Sequence, residues 1–129
     1  MSHDLTPEEL EFLQSAFDDA RNGDLEALVG KVDAGVPVNL TNSAGDTLLT
    51  LSAYHVQADL VRALLERGAD HARVNDKGQT ALAAAVFRQD RDIVTALLRA
   101  GADPDLGSRS AVAIATFFDL PDMLALLRS

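Results

Sequence analysis

Apolar and polar positions follow the period of a helix in several parts of the chain. The clearest case is the stretch RDIVTALLRA, residues 91–100. Its large apolar residues fall at the spacing of one helical face: Ile93, Val94, Leu97 and Leu98. Gly101 follows directly and can adopt the left-handed conformation that ends many helices. The pattern predicts a helix here that packs through one apolar face.

A shorter helix is predicted just before it. The stretch TALAAAVFRQ begins at Thr80 and is rich in Ala and Leu, which favour helix. The Thr80 hydroxyl can accept a hydrogen bond from an amide of the first turn. The segments ADHARVNDKGQ and ADPDLGS, rich in Asp, Asn, Gly and Pro, favour extended turns. One unit of the chain is therefore two helices and a connecting turn.

This unit recurs with a shift of 33 residues, since LLERGAD at 64–70 returns as LLRAGAD at 97–103. The same shift superposes Gly45 on Gly78 and Thr47 on Thr80. A helix pair of this size cannot bury its apolar face alone, so neighbouring units must stack and share one core. The sequence predicts an all-α solenoid.

Modified units are predicted at both ends. Thr6, Pro7 and Glu9 have the pattern of a capping box, with Pro at the first helical position, which predicts a helix from residue 7 to about Arg21. GDLEALVGKVDAG is its partner helix, weakened by Gly30. SAVAIATFFDLPDMLALLRS aligns with residues 80–99 at a shift of 30, which predicts a shortened last turn. A single domain over 1–129 would then hold four units, the terminal two acting as caps: 7–41, 42–74, 75–105 and 106–129.

The unit NDKGQTALAAAVFRQDRDIVTALLRAGADPD resembles the ankyrin repeat, whose consensus begins D-x-x-G-x-T-P-L-H and ends L-L-x-x-G-A-D. The resemblance covers nearly the whole chain and is closest to small bacterial ankyrin proteins made almost entirely of repeats. It implies stacked helix-turn-helix units with short hairpin-like turns. It also implies a concave binding surface formed by the turns, called fingers, and the first helices.

The chain departs from the family pattern at two kinds of position. The Pro and His of the T-P-L-H signature are replaced by Leu48 and Thr50 in one repeat and by Ala81 and Ala83 in the next. The hydrogen bonds that this His makes between repeats are therefore not expected. Between the two helices of each repeat, Val56 and Gln89 stand where the family usually has Gly. A positive φ is unfavourable for residues other than Gly, so strained turns are predicted at these two positions.

The net charge of the chain disfavours some classes of binding partner. The chain has 129 residues, with 20 acidic and 11 basic side chains and a formal charge of -9, which disfavours nucleic acid and anionic membrane surfaces. Nine acidic and two basic residues fall within 1–35, as a solvated end cap or as a docking face for a basic partner. The chain has no Cys, no secretory signal pattern at its start and no apolar run long enough to span a bilayer, so a cytoplasmic location is expected.

No catalytic or metal-binding motif is recognisable. The sequence lacks H-E-x-x-H, G-x-S-x-G and the P-loop, and His3, His55 and His71 lie far apart in sequence. DHARVNDKG is oxygen-rich like a calcium loop, but Val74 and Asn75 stand where a ligand and a glycine are needed. The sequence predicts a protein that is not an enzyme and has no metal or cofactor.

One aromatic residue recurs in each unit at the end of the first helix, at Tyr54, Phe87 and Phe117. These rings can anchor a partner on the concave surface, or they can pack between repeats and only stabilise the stack. Phe118 belongs either to the same surface or to the core of the last unit. The remaining candidates adjoin the rings or lie on the fingers: His55, Arg88, Ser43, Ala44, Asp46, Asp76, Lys77, Gln79 and Ser108.

These observations favour a monomeric protein-interaction module that binds an unidentified protein through its concave groove. One alternative is an accessory protein that binds a small molecule between Tyr54, His55 and Phe87. The other is a structural protein that self-associates through its Phe117 and Phe118 end.

Overall fold

A computed structural model describes residues 5–129. Over this range the chain forms eight helices: α1 (Pro7–Asn22), α2 (Leu25–Asp33), α3 (Leu48–Tyr54), α4 (Ala58–Glu66), α5 (Ala81–Phe87), α6 (Arg91–Arg99), α7 (Ala111–Phe117) and α8 (Pro121–Arg128). The described residues contain no β-strand, and Thr41 and Thr47 form an isolated bridge. The all-α prediction is confirmed.

The helices form two stacked rows. In the first row α1, α3, α5 and α7 pack in order, and in the second row α2, α4, α6 and α8 do the same. One continuous core lies between the rows. Ile93, Val94 and Leu97 of α6 are fully buried in it, as the apolar face of that helix predicted, whereas Leu98 is partly buried. The predicted solenoid of four helix pairs is confirmed.

Hydroxyl groups begin the helices of the first row. The Thr6 hydroxyl accepts from the Glu9 amide at 3.1 Å and the Glu9 carboxylate accepts from the Thr6 amide at 3.0 Å, which confirms the capping box. The Thr80 hydroxyl accepts from the Ala83 amide at 3.2 Å. Thr47 makes the same bond to the Thr50 amide at 3.0 Å. Local sequence therefore sets where these helices start.

Fingers, rather than the missing histidines, connect the repeats. The buried Thr47 hydroxyl donates to that of Thr50 at 3.1 Å within one repeat. Between repeats, the Asp76 amide donates to the Ala44 carbonyl at 3.0 Å. The Arg109 amide donates to the Gly78 carbonyl at 2.9 Å. These backbone bonds hold successive fingers side by side.

The turn between the two helices of each pair contains one residue with positive φ. The first pair uses Gly23 at φ 77°, and the others use Val56 at 61°, Gln89 at 57° and Asp119 at 53°. The turns thus retain the left-handed conformation although three of the four residues have a Cβ. The strain predicted at Val56 and Gln89 has a structural basis, and Asp119 is a third such residue.

Replacing Val56 by glycine should stabilise the protein by about 1 kcal/mol, because a left-handed conformation costs a residue other than Gly about 1–3 kcal/mol and the flexibility of an unfolded Gly offsets part of the gain. Val56 is 38% exposed, so part of the gain is also offset by the apolar burial lost with its side chain. Urea unfolding followed by circular dichroism measures the change. Gln89→Gly should gain less, because Gln is not β-branched. A Val56→Gly variant less stable than the parent protein would contradict the strain argument.

Candidate functional site

Aromatic rings form a continuous series along the first row of helices. The Tyr54 and Phe87 rings, at the ends of α3 and α5, have centroids 6.1 Å apart and planes within 7°. The Phe118 ring meets Phe87 edge-on at 5.6 Å, and Phe117 meets Phe118 at 4.9 Å. We call these four residues the aromatic ladder.

The ladder packs internally yet stays open to solvent. Tyr54 is 43% exposed, Phe87 42%, Phe118 50% and Phe117 81%. The rings of Tyr54 and Phe87 therefore do pack between repeats, but this packing does not bury them. Phe118 does not belong to the core of the last unit, because half of it is exposed. Phe117 ends α7 as Phe87 ends α5, but its neighbour Phe118 makes the contact with Phe87.

The residue that follows each of α3, α5 and α7 contacts a ring of the ladder. Arg88 follows α5, and its guanidinium donates to the Tyr54 carbonyl at 2.7 Å and lies 5.4 Å from the Tyr54 ring centroid. Phe118 follows α7 and contacts the Phe87 ring in the corresponding way. His55 follows α3 and packs edge-on against Tyr54 at 5.3 Å. Arg88 thus holds Tyr54 by backbone and ring together.

Two asparagines shape the fingers opposite the ladder. The Asn42 side-chain oxygen accepts from the amides of Ala44 and Asp46, both at 3.0 Å. The Asn75 oxygen accepts from the amides of Lys77 at 3.0 Å and Gln79 at 2.9 Å. Such side-chain bonds close turns. Neither asparagine was among the predicted site residues, although their spacing of 33 repeats the period.

A groove of about 520 Å³ lies between the fingers and the ladder. It brings together eight candidate residues: Ala44, Asp46, Tyr54, His55, Asp76, Lys77, Gln79 and Phe87. A second recess continues it past Gln79 and Phe87 to the remaining C-terminal candidates: Ser108, Phe117 and Phe118. Ser43 lies elsewhere, in a recess beside α1, and Arg88 lines none of these recesses.

Two arginines in the groove were not among the predicted site residues. Arg21 lines the groove at the end of α1, and Arg109 lines both the groove and the second recess. A shift of 33 carries Arg21 onto Tyr54, and the shift of 30 that applies to the last unit carries Gln79 onto Arg109. The repeat alignment therefore contains a signal for both positions, but neither arginine repeats the residue type of its counterpart.

The histidines do not gather into one site. His55 lies in the groove and His71 in the turn after α4, whereas His3 lies outside the described residues. Within residues 5–129, no three His, Asp or Glu side chains form a group that could hold a metal ion. Burial lowers the pKa of His55, and the nearby positive charges of Arg21 and Arg88 lower it further.

The lowered pKa of His55 predicts how the stability of the protein depends on pH. Its folded-state pKa lies below the usual 6.5, so below pH 6.5 the unfolded chain takes up a proton more readily than the folded one. The contribution of neutral His55 is complete above pH 6.5 and is lost as the pH falls through the folded-state pKa. Urea unfolding on both sides of that range should show a steeper loss of stability for the parent protein than for His55→Gln. Equal losses would contradict the pKa assignment.

Residues 17–108 match the family model described as ankyrin repeats, in three copies. The chain belongs to the ankyrin repeat family. A curated ankyrin repeat protein of Pseudomonas aeruginosa is 44% identical to it over 59 residues, which are 46% of this chain and 34% of that protein. This ankyrin repeat chain thus aligns with about a third of the length of that relative. No helix within residues 5–129 is both long and apolar enough to cross a membrane.

Ankyrin repeats are generally protein-protein interaction modules, and the groove is a surface of such repeats. In this member of the family the groove is lined by fingers and by α1, α3 and α5, and α7 lines the second recess. Its chemistry is an apolar centre with charged and amide groups around it.

Proposed function

We propose that this ankyrin repeat protein is a non-enzymatic module that binds a partner protein through the groove. The observation that carries the proposal is the aromatic ladder, whose residues are held against one another and are each still at least 42% exposed. Large apolar surface in this state is typical of an interaction site. A cytoplasmic location and a monomeric state remain predictions.

Preorganisation supports this function. Binding normally costs about 0.5–1.5 kcal/mol for each mobile side chain that becomes ordered. Tyr54 is already fixed by stacking on Phe87 and by the Arg88 guanidinium. The fingers are already closed by Asn42 and Asn75. A partner would meet a surface that needs little further ordering.

The distribution of polar groups also supports a protein partner. Interfaces commonly have an apolar centre with a polar rim, and Tyr, Trp and Arg supply much of the binding energy. Here Tyr54 and Phe87 form the centre, whereas Asp76, Lys77 and Gln79 of the finger lie at its border. The groove shares Gln79, Phe87 and Arg109 with the second recess, so the two together can take an extended segment of another protein.

The test is affinity capture from lysate of the source cells with three proteins as bait. The parent protein and Leu25→Ala should capture the same partner, because Leu25 is an exposed apolar residue of α2, in the second row. Tyr54→Ala/Phe87→Ala should lose it. Circular dichroism must first show that all three are folded. A partner retained by the double variant would place binding outside the ladder and contradict the proposal.

A small molecule is a second candidate, because Tyr54, His55 and Phe87 line the same recess. Its volume is within the usual range for ligand sites, but such sites bury most of the ligand and this groove is open. A thermal-shift screen would detect a ligand, since a compound that binds only the folded state raises the melting temperature. Self-association through Phe117 and Phe118 would instead show as a molecular mass that increases with concentration in light scattering.

A further inference from the structure

The groove and the second recess are not acidic, although the chain as a whole is. The protein carries a formal charge of -9. The ionised side chains along the groove are nevertheless three cations and two carboxylates: Arg21, Lys77, Arg109, Asp46 and Asp76. The second recess adds no carboxylate and shares Arg109. Arg21 pairs with Asp18, so the remaining charges of the groove balance, and the second recess is positive through Arg109 alone.

Three cations at the ladder and fingers make no ion pair within the described residues, although Arg88 does donate to the Tyr54 carbonyl. Lys77, Arg88 and Arg109 have no carboxylate oxygen within 4.0 Å among residues 5–129. Five other basic residues do make such pairs: Arg21, Lys31, Arg62, Arg67 and Arg73. An incoming carboxylate could therefore pair with Lys77 or Arg109 without breaking an existing ion pair.

One of the two groove carboxylates is already engaged by the fold. Asp46 accepts from the Asn75 side-chain amide at 2.8 Å, a bond that joins two fingers. Arg21 already pairs with Asp18 at 3.0 Å, so the available positive charge lies towards Lys77 and Arg109. This end is also the one farther along the stack from the acidic residues of the first unit.

From this arrangement we propose that the partner segment is acidic and carries aromatic or aliphatic anchors. The anchors would lie on the rings of Tyr54 and Phe87, and its carboxylates would lie over Lys77 and Arg109. Arginine can bind a carboxylate through two parallel hydrogen bonds, which also orients it. The inference rests on the proposed function, since it assumes that the groove is where a protein binds.

The total charge of the protein does not decide against this assignment. At physiological ionic strength charges are screened over about 8 Å, so distant carboxylates have little effect on a group bound in the groove. Nine of the acidic residues fall within 1–35, at the other end of the chain from Arg109. The charge of the preferred partner segment is therefore set by its contacts in the groove.

The experiment selects binders from a phage-displayed library of random peptides on the whole protein. Enriched peptides are then synthesised, and their affinities are measured by fluorescence anisotropy with four proteins. These are the parent protein, Lys77→Glu/Arg109→Glu, Tyr54→Ala/Phe87→Ala and Arg91→Glu/Arg99→Glu. The last is the matched control, because it makes the same change in net charge at exposed positions of α6, in the second row.

We expect enriched peptides to combine Asp or Glu with aromatic or leucine residues. Their affinity should fall about tenfold or more, or about 1.4 kcal/mol, for Lys77→Glu/Arg109→Glu. It should fall at least as far for Tyr54→Ala/Phe87→Ala and stay within twofold for the control.

Other outcomes separate the two proposals. Neutral or basic peptides that require the ladder would overturn the acidic assignment and leave the proposed function standing. Peptides that bind Tyr54→Ala/Phe87→Ala as tightly as the parent protein would contradict both. An equal loss in the α6 control would show an effect of total charge and overturn the placement over Lys77 and Arg109. A selection that enriches no peptide would also count against an acidic segment as the ligand.

Discussion

Leu82→Ala is expected to destabilise the protein by about 3 kcal/mol, within the range of roughly 2–5 kcal/mol measured for buried Leu to Ala changes. Leu82 is fully buried in α5, which packs against α3 on one side and α7 on the other. The cavity would be walled by helices held on both sides, so it could collapse only partly. The same loss would lower the melting temperature by roughly 10 °C.

Urea unfolding monitored by circular dichroism measures this change, with Leu25→Ala as the matched control. Leu25 is 39% exposed at the start of α2, and its replacement should lower the free energy of unfolding by no more than about 1 kcal/mol. In a stacked array each repeat contacts only its neighbours, so the Leu82 cavity weakens two interfaces at once. If Leu82→Ala were no more damaging than the control, α5 would not be the centre of the core.

Gly107→Ala is expected to destabilise the protein by about 2–4 kcal/mol, from left-handed strain together with overpacking. Gly107 has φ 94°, and an added Cβ would overlap the carbonyl oxygen of Gly78. That oxygen accepts from the Arg109 amide at 2.9 Å. Both groups are backbone, so rotating a side chain cannot relieve the contact. Binding through the groove should weaken as well, because the finger that carries Arg109 must move.

The control is the same chemical change at another glycine. Gly30 lies within α2, and an added Cβ there would meet no atom within 4 Å. Gly30→Ala should therefore stabilise the protein by about 0.5–1 kcal/mol, since alanine is the better helix former. Urea unfolding of both variants should give changes of opposite sign. A Gly107→Ala protein as stable as the parent would contradict the close approach of the last two fingers.

Much of the fold could be predicted because its signals are local. Thr80 begins a helix through a bond to an amide only three residues away. Gly101 ends one by its own conformational freedom. Even the strained turn at Val56 follows from where the period places it. Each of these depends on neighbouring residues along the chain, so the sequence pattern contains the information.

The groove could be predicted only in part. The period placed Tyr54 and Phe87 at equivalent helix ends, and the structure stacks them. It could not show that Arg88 would hold Tyr54, nor that Asn75 would join two fingers through Asp46. These contacts span 34 and 29 residues, and depend on how far one repeat is rotated on the next.

The sequence by itself determined the period, the ends of most helices and the type of residue at each repeated position. These features arise from hydrogen bonds and conformational preferences within a few residues. Only the tertiary structure decided that Phe118 rather than Phe117 contacts Phe87, and that the unpaired Lys77 and Arg109 border the same groove as the rings. The physical reason is that the stacking of repeats sets the direction of each side chain and therefore which side chains meet.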